Sequence, residues 1–465
     1  MVDAVTIAPE LPFRQQILEL AVHLSRSIPA SADGSVARDF VAGFEAQVKG
    51  EEGEEVPEET RKAVVKSLIG KFGELRGGLE AAKESEPESA HLLLQHVLST
   101  TFTGEEYDSA FKSVVEAVQK GGEANATAGR MTRVEAASRI LNNTYNYLAP
   151  NSPLRAPTLL ALLALLARSS ELPALPLTPS TLTSALSQWP LSQSDKVAFL
   201  TRAATIYQSA EQLSRALEIS ILALAQGAEK SAVEKAIVLA LSVENNLSLD
   251  EVLRVNGVQA LLEGKLKELV ALFTEVDEIE AVGKGKDWLA SNGSYVESFG
   301  VAQFTPESVL RKLRLIALAT LAARSSAKQL AYADVASALQ IDVSEVEVWA
   351  IDAIRVNLFK ARLSQPSSLI RIISVSGAGT RRFGPSEWQL LERRLGEWKK
   401  AVADAQAVID EAEQVAAQGP ITHQRRTGGR RDGRDGRDGR DGRDGREGRE
   451  REERDKGREG EEVAA

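Results

Sequence analysis

The sequence predicts a mostly α-helical protein: an irregular α-solenoid of helix pairs, then a small domain of helices and a hairpin, then one long helix. Of the 465 residues, 43% are hydrophobic but only 5% are aromatic. Most apolar residues are therefore Ala, Val, Ile and Leu, a mixture that favours helix. Apolar residues recur at helical spacing, and the first 150 residues show no strand-like alternation. At roughly 150 residues per domain, the length predicts two to four domains.

Residues 1–150 are predicted to form N-terminal helical repeats. The predicted helices are 13–25, 36–48, 61–80, 90–102, 106–119 and 132–148. Two polar segments interrupt them. The acidic loop 51–59 contains six Glu among its nine residues, and the segment 121–129 is rich in Gly, Ala and Asn.

Residues 151–305 continue the helical solenoid. The predicted helices are 157–168, 182–189, 196–209, 211–226 and 230–242, followed by a helix start near 248 and a long stretch to 279. No strict sequence repeat is visible. Helix pairs recurring every 30 to 40 residues nevertheless favour a solenoid of irregular units.

Residues 306–384 are predicted to form a winged helix, a helix-turn-helix variant. Predicted helices at 307–323 and 331–339 precede a turn at 340–343. Ser344 and Glu347 have the spacing of a capping box that opens the third helix, with Val343 and Val348 as the accompanying hydrophobic staple. Two β-rich runs around a turn at 365–367 predict the hairpin.

Residues 385–418 are predicted to form one long amphipathic helix, capped by Ser386 and Gln389. Its apolar residues are spaced alternately by three and four, which is typical of a coiled-coil contact. The candidate protein-interaction residues in this helix are Trp388, Leu391, Leu395, Trp398, Val402 and Ile409. A small winged helix cannot cover so long a stripe, so we expect partner helices; the alternative is that the helix folds back on its own solenoid.

Residues 419–465 contain five Arg-Asp-Gly triplets and mixed charge without proline in the repeats, a composition that predicts disorder rather than a collagen helix. Cations and carboxylates nearly balance there, giving +1 for 425–465 against −11 for 1–424. A solvated mixed-charge tail is the favoured interpretation, and RNA contact through Arg431, Arg434 and Arg437 is the alternative.

Little in the sequence predicts catalysis. The chain has no Cys, and its four His, at 23, 91, 96 and 423, are too scattered for a metal site. The Gly-containing segments 283–286 and 377–379 are predicted loops that lack the spacing of a phosphate-binding motif. No signal peptide or membrane-spanning run is visible. We therefore expect a cytoplasmic non-enzyme without metal, cofactor, small-molecule substrate or membrane contact.

The third helix of the winged helix predicts protein contact more than nucleic-acid contact. Its buried residues are expected to be Val346, Trp349, Ala350, Ala353 and Ile354. Its other faces offer Glu345, Glu347 and Asp352 against one cation, Arg355, which would repel phosphates. We expect the hairpin edge to meet another chain, with Leu369, Arg371 and Ile373 as candidates. RNA contact through Lys360, Arg362, Arg381 and Arg382 remains the alternative.

A helical solenoid that ends in a winged helix and a long helix resembles the PCI family, found in the proteasome lid, the signalosome and eukaryotic translation initiation factor three. Within it, the sequence strongly resembles the subunit M family of that factor. The motifs that carry the resemblance are Val346-Glu347, Ile351-Asp352-Ala353-Ile354-Arg355, Arg371-Ile372-Ile373-Ser374-Val375-Ser376, Arg382-Phe383-Gly384, Trp388-Gln389-Leu390 and Trp398-Lys399.

The resemblance implies a PCI helical part that begins at about 195–210, and a non-catalytic subunit that joins other PCI subunits through winged-helix contacts. Its C-terminal helix would enter a shared bundle, and the complex would support preinitiation-complex formation and mRNA recruitment on the small ribosomal subunit. Membership of the signalosome or of the proteasome lid is the alternative in the same fold. The acidic loop 51–59 and the Arg-Asp-Gly tail depart from the family pattern.

Overall fold

The computed structural model describes residues 11–28, 35–49, 56–80, 86–325, 327–375 and 385–417. The chain divides into two units, Met1–Leu391 and Glu392–Ala465. The predicted fold class is confirmed: helices dominate, and one small sheet lies near the C-terminal end of the first unit.

Eight helices precede residue 190 among the described residues. They are α1 (Phe13–Ser25), α2 (Ser35–Gln47), α3 (Glu58–Glu74), α4 (Glu86–Thr101), α5 (Gly104–Thr127), α6 (Met131–Tyr147), α7 (Arg155–Arg168) and α8 (Pro179–Gln188). The solenoid continues with α9 (Gln193–Ser209), α10 (Leu213–Gln226), α11 (Lys230–Ser242), α12 (Asp250–Leu253), α13 (Gly264–Thr274) and α14 (Glu278–Glu297). Helices pack mainly against their neighbours in sequence, as in α5 with α6 and α9 with α10.

The winged helix contains α15 (Pro306–Arg324), α16 (Tyr332–Leu339) and α17 (Val346–Arg355), with strands β1 (Gln329–Ala331), β2 (Phe359–Ser364) and β3 (Leu369–Val375). The strands form an antiparallel sheet in the order β1-β3-β2. The long helix α18 spans Pro385–Ala417. The predicted hairpin and long helix are thus present.

Buried apolar side chains among the described residues form two clusters. The smaller one lies in the first helices and includes Ile17, Leu68 and Phe72. The larger one runs from Leu79 to Ile372, through the solenoid and into the winged helix. This core continues past residues 150 and 305, and the domain divisions proposed at those positions stay predictions.

Two neighbouring side chains of α15 connect this helix to the solenoid and to α17. Lys312, 2% exposed, donates from Nζ to the carbonyl oxygens of Ala240, Val243 and Asn246 at 3.2, 2.6 and 2.6 Å. These carbonyls lie at and just beyond the end of α11, where the helix leaves acceptors unpaired. Arg311 donates from Nε and Nη2 to the two carboxylate oxygens of Asp352 on α17, both at 2.8 Å. Neighbouring residues of one helix therefore hold the solenoid and the third helix together.

Two predicted loops are wrong because their glycines lie inside helices. The segment 121–129 is helical as far as Thr127 in α5, and 283–286 lies within α14. A Cβ at Gly121 would overlap the carbonyl oxygen of Arg76, and one at Gly285 would overlap the side chain of Leu313. These glycines permit close packing, which outweighs their low helix propensity.

Three further predictions near element ends need correction. The acidic loop 51–59 ends early, because Glu58 opens α3; residues 51–55 lie outside the described residues. The predicted helix 331–339 begins at Tyr332, since Ala331 pairs with Leu369 in the sheet. The Ser344 capping box is wrong: α17 begins at Val346 with no side-chain cap.

Candidate protein-interaction surfaces

The apolar stripe of α18 is defined by Trp388, Leu391, Leu395, Trp398, Val402 and Ile409, and all six side chains are exposed. Leu395 is 53% exposed and Trp398 is 70% exposed. Three- and four-residue spacing places the stripe on one side of the helix. Large apolar residues in that pattern and at that exposure are typical of a surface that another protein covers.

The structure adds two residues that the sequence analysis did not select. Val408 and Val415 are 65% and 64% exposed and lie one helical repeat of seven residues apart. Val408 precedes Ile409 and widens the apolar surface toward the C-terminal end of α18. A stripe of this width suits contact with more than one helix.

Charge on α18 is unevenly distributed along its length. Residues 392–400 contain four cations and two carboxylates, a net +2, whereas residues 401–417 contain four carboxylates and no cation, a net −4. The cations are Arg393, Arg394, Lys399 and Lys400, and the carboxylates of the second segment are Asp404, Asp410, Glu411 and Glu413. One half of the helix is basic and the other half is acidic.

In the winged helix, the predicted contact residues of the hairpin lie on the central strand, not on an edge. β3 pairs with β1 through Leu369, Ile370 and Arg371 and with β2 along its other side. The expectation that Leu369 and Arg371 form a free backbone edge is therefore wrong. Their side chains and that of Ile373 still reach the surface to different degrees: Leu369 is half-buried, Arg371 is exposed and Ile373 is 57% exposed.

In the described sheet these pairings leave two outer edges, one on the three-residue strand β1 and one on the longer strand β2. Lys360 and Arg362 lie on this strand with exposed side chains. Arg362 stands directly opposite Arg371 across the β2–β3 ladder. Like charges in that position repel each other, so the pair favours an acidic group from outside the sheet. Arg381, Arg382, Arg431, Arg434 and Arg437 lie outside the described residues.

The third helix, α17, differs from the sequence expectation in what it exposes. Val346, Ala350 and Ala353 are buried as predicted, whereas Trp349 and Ile354 are half-buried. The outward face carries Val348 and Ile351, which are 67% and 48% exposed.

Two acidic residues of α17, expected on its outer faces as groups that repel phosphates, make hydrogen bonds within the domain. Asp352 binds Arg311, while Glu347 accepts hydrogen bonds from the Tyr332 hydroxyl at 3.2 Å and from Gln365 Nε2 at 2.7 Å. The helix that reads bases in nucleic-acid-binding relatives of this fold here presents aliphatic side chains.

Outside these surfaces, the described residues include buried histidine side chains. His91 is buried on α4, and its Nε2 donates to the carbonyl oxygen of Gly77 at 2.7 Å. No group of three or more His, Asp or Glu side chains in the described ranges is arranged to hold a metal ion. Among the helices described, none combines the length and the apolar character needed to cross a membrane.

Comparison with protein families places two matches end to end in the C-terminal part. The PCI domain family matches residues 294–372, from the last turn of α14 into β3. The family described as eIF3 subunit M, C-terminal helix, matches residues 381–409, most of α18. The PCI match begins at 294, and an earlier start of the PCI helical part at about 195–210 stays a prediction.

Curated relatives extend the similarity over most of the chain. Eukaryotic translation initiation factor 3 subunit M of Neosartorya fischeri is 28% identical over 374 residues, which are 77% of this chain and 76% of the relative. The protein of the same name from Dictyostelium discoideum is 27% identical over 283 residues, 59% of this chain and 68% of the relative. The one from Schizosaccharomyces pombe is 27% identical over 262 residues, 55% and 61% respectively. Residues 294–372 of the chain therefore match the PCI domain family, and most of the chain is similar to subunit M of eukaryotic translation initiation factor 3.

Proposed function

We propose that the chain is a non-catalytic scaffold subunit of eukaryotic translation initiation factor 3 in the cytoplasm. The observation that carries the proposal is the match of α18 to a helix family specific to subunit M, directly after a PCI domain. Both matched segments coincide with the elements whose apolar side chains are most exposed.

The helix α18 is the main contact in this proposal. Its stripe places Leu395 and Trp398 in water, where apolar surface is unfavourable by roughly 25 cal/mol for each Å². Covering those side chains with helices from other subunits would recover that free energy. Trp is also enriched among the residues that dominate binding energy at protein interfaces.

The winged helix supplies a second contact of a different kind. The outer edge of β2 offers unpaired backbone groups, and an added strand from another PCI subunit would satisfy them. The exposed aliphatic residues Val348, Ile351 and Ile373 add further apolar surface to this small domain. Through these contacts the chain would join an arc of subunits that supports preinitiation-complex formation and mRNA recruitment on the small ribosomal subunit.

Affinity purification of the tagged full chain from its source cells, followed by quantitative mass spectrometry, tests the proposal. We expect the other subunits of initiation factor 3 together with proteins of the small ribosomal subunit. Recovery of signalosome or proteasome-lid subunits instead would place the chain in one of those complexes and contradict the proposal.

A second candidate function, RNA contact by the wing, is favoured by the Arg362–Arg371 pair. Two opposed guanidinium groups, with Lys360 nearby on β2, suit a phosphate group. The isolated chain would then bind single-stranded RNA with an affinity that falls as salt rises, and Arg362→Glu with Arg371→Glu would remove that binding. Glu substitutions at Lys235 and Lys284, which are remote in sequence, control for the change in net charge. Salt-independent binding, or equal binding by both double variants, would argue against the wing.

A further inference from the structure

We propose that the unassembled chain forms a dimer in which α18 pairs antiparallel with α18 of a second copy. The inference goes beyond the proposed function, although it uses the same apolar stripe. Three properties of α18 support a second copy as the occupant of that stripe: the order of its charges, the order of its side-chain sizes and the placement of both about Val402.

The charge order opposes the stability of an isolated helix. The C-terminal end of a helix carries partial negative charge and favours cations. In α18 the last turn has no basic residue, while Asp410, Glu411 and Glu413 lie in the last two turns. A separate α18 would gain nothing from this arrangement, so we infer that the charges serve an interaction with another chain.

An antiparallel copy satisfies that charge order. Val402 lies near the middle of α18, with the basic segment 392–400 before it and the acidic segment 401–417 after it. When two copies run in opposite directions about Val402, the basic segment of each faces the acidic segment of the other. A parallel arrangement would place like charges beside each other along the whole helix.

The side-chain sizes are also complementary between the two halves. Before Val402 the stripe carries bulky residues, Leu391, Leu395 and Trp398; after it, the positions at the same spacing are mostly small, Ala405, Ala412 and Ala416, with Ile409 between them. Antiparallel pairing about Val402 sets Trp398 opposite Ala405 and Leu391 opposite Ala412, and large side chains opposite small ones fill a helix interface without voids or overlap. Leu395 and Ile409, each seven residues from Val402, meet as a pair of large apolar side chains between those layers. Parallel pairing would crowd one end and leave cavities at the other.

The resulting interface is two-fold symmetric, because each half contact occurs twice. It covers the stripe that the proposed function assigns to partner subunits. Assembly into the larger complex would therefore require the dimer to dissociate, and the unassembled chain would keep its apolar stripe out of water.

Sedimentation velocity of the full chain and two charge-reversal variants tests the dimer. The first variant changes Arg393, Arg394, Lys399 and Lys400 to Glu, and the second changes Asp404, Asp410, Glu411 and Glu413 to Lys. We expect the unchanged chain to be dimeric. For each variant alone, we expect the dissociation constant of the dimer to rise roughly tenfold or more. An equimolar mixture of the two variants is expected to form a heterodimer, because residues 392–417 then carry only acidic charges in one helix and mostly basic charges in the other, which keeps Glu392 and Glu397.

Engineered disulfides test the orientation on a background without cysteine. Glu392 and Glu413 lie on the same flank of the stripe, 10 and 11 residues either side of Val402. A mixture of Glu392→Cys and Glu413→Cys chains should oxidise mainly to the mixed disulfide. Homodisulfides in excess would contradict the antiparallel arrangement. A monomeric unchanged chain at its highest soluble concentration, or a mixture of charge variants that stays monomeric, would overturn the proposal without affecting the subunit assignment.

Discussion

Lys312 lies where the solenoid meets the winged helix, and its ammonium group has three carbonyl partners. Burial, with the Arg311 guanidinium adding to it, lowers the pKa of Lys312 to about 7. The three carbonyls oppose this shift because they accept hydrogen bonds from the ammonium form. The side chain closes the end of α11 as a capping group would.

Lys312→Met should lower the free energy of unfolding by about 2–4 kcal/mol, because it leaves buried carbonyl oxygens without their donor. Urea unfolding followed by circular dichroism measures the change. Lys284→Met is the matched control, since Lys284 is exposed on α14 and pairs there with Glu280. Equal stability of the two variants would show that the carbonyls find other partners.

His91 is a buried titratable group in the N-terminal core. Burial lowers its pKa to about 4, against the effect of the hydrogen bond to Gly77, and the nearby His23 lowers it further. Nδ1 of His91 makes no hydrogen bond within the described part of the chain. The folded protein therefore holds this ring neutral.

Because the pKa of His91 is about 4 when folded and about 6.5 when unfolded, the unfolded state binds more protons between those values. Its contribution to stability is complete above pH 6.5 and is lost as pH falls toward 4, by roughly 3 kcal/mol in all. Comparing the pH dependence of urea unfolding for the unchanged chain and His91→Gln measures this, and the variant should show the shallower slope. His96→Gln is the control. A slope for His91→Gln equal to that of the unchanged chain would contradict the lowered pKa of His91.

Neither residue could be selected from the sequence as structurally important. The partners of Lys312 lie about 70 positions earlier in the chain, and those contacts depend on how α11 and α15 pack. The same holds for the exposure of Val348 and Ile351, which a helical pattern alone does not distinguish from burial. Spacing indicates which residues share a face, but packing decides which face is covered.

At the scale of elements, the helices α5 and α14 continue through glycines because the glycines leave room for neighbouring backbone or side chains. In α5, Gly121 lies against the carbonyl oxygen of Arg76, and Gly122 lies where a Cβ would be 2.7 Å from Leu165. In α2, by contrast, Gly43 has nothing within 4 Å of the position of a Cβ.

Gly121→Ala should destabilise the protein by about 1–3 kcal/mol, because the added methyl group forces α5 away from Arg76. Gly43→Ala, the matched control, should stabilise by up to about 1 kcal/mol through the better helix propensity of Ala. Thermal unfolding of both variants measures the difference. Stabilisation by both substitutions would mean that the backbone at Arg76 moves away from α5 without a cost in the free energy of folding.

The longer elements could be predicted from the sequence, and the short ones could not. Periodicity located α1 and the long helix α18 closely, since each repeats its apolar spacing over several turns. β1 has only three residues and exists because it pairs with β3, some 40 positions later. Ser344 had the spacing of a cap, yet Glu347 is held by Tyr332 and Gln365 instead.

At the scale of the whole molecule, the match to the subunit M helix family and the described helices end before the Arg-Asp-Gly tail. The subunit M helix match stops at 409, and α18 stops at Ala417. The contacts proposed here for assembly lie within residues 329–417. Composition, helical periodicity and the lack of catalytic motifs predicted a helical scaffold, while the family motifs indicated the kind of complex.

Deleting residues 428–465 should leave assembly intact, because every proposed contact with other subunits lies earlier in the chain. Size-exclusion chromatography of the tagged complex, with immunoblotting for the other subunits, checks this. A deletion variant that migrates free of the complex would show that the tail contributes a contact.

The central claim is that α18 joins this chain to initiation factor 3. The most direct test is to disrupt the stripe of α18 and measure whether the chain is lost from the complex. Leu395→Asp with Trp398→Asp places two carboxylates in the stripe, and Ala407→Asp with Gln414→Asp places two on the opposite face of the same helix. Both tagged full-length variants are purified from cells, with circular dichroism and thermal unfolding confirming that the solenoid is folded. Quantitative mass spectrometry should find the other initiation-factor subunits lost from the first variant and retained by the second. Full retention by the first variant would contradict the claim that the stripe of α18 is the assembly surface.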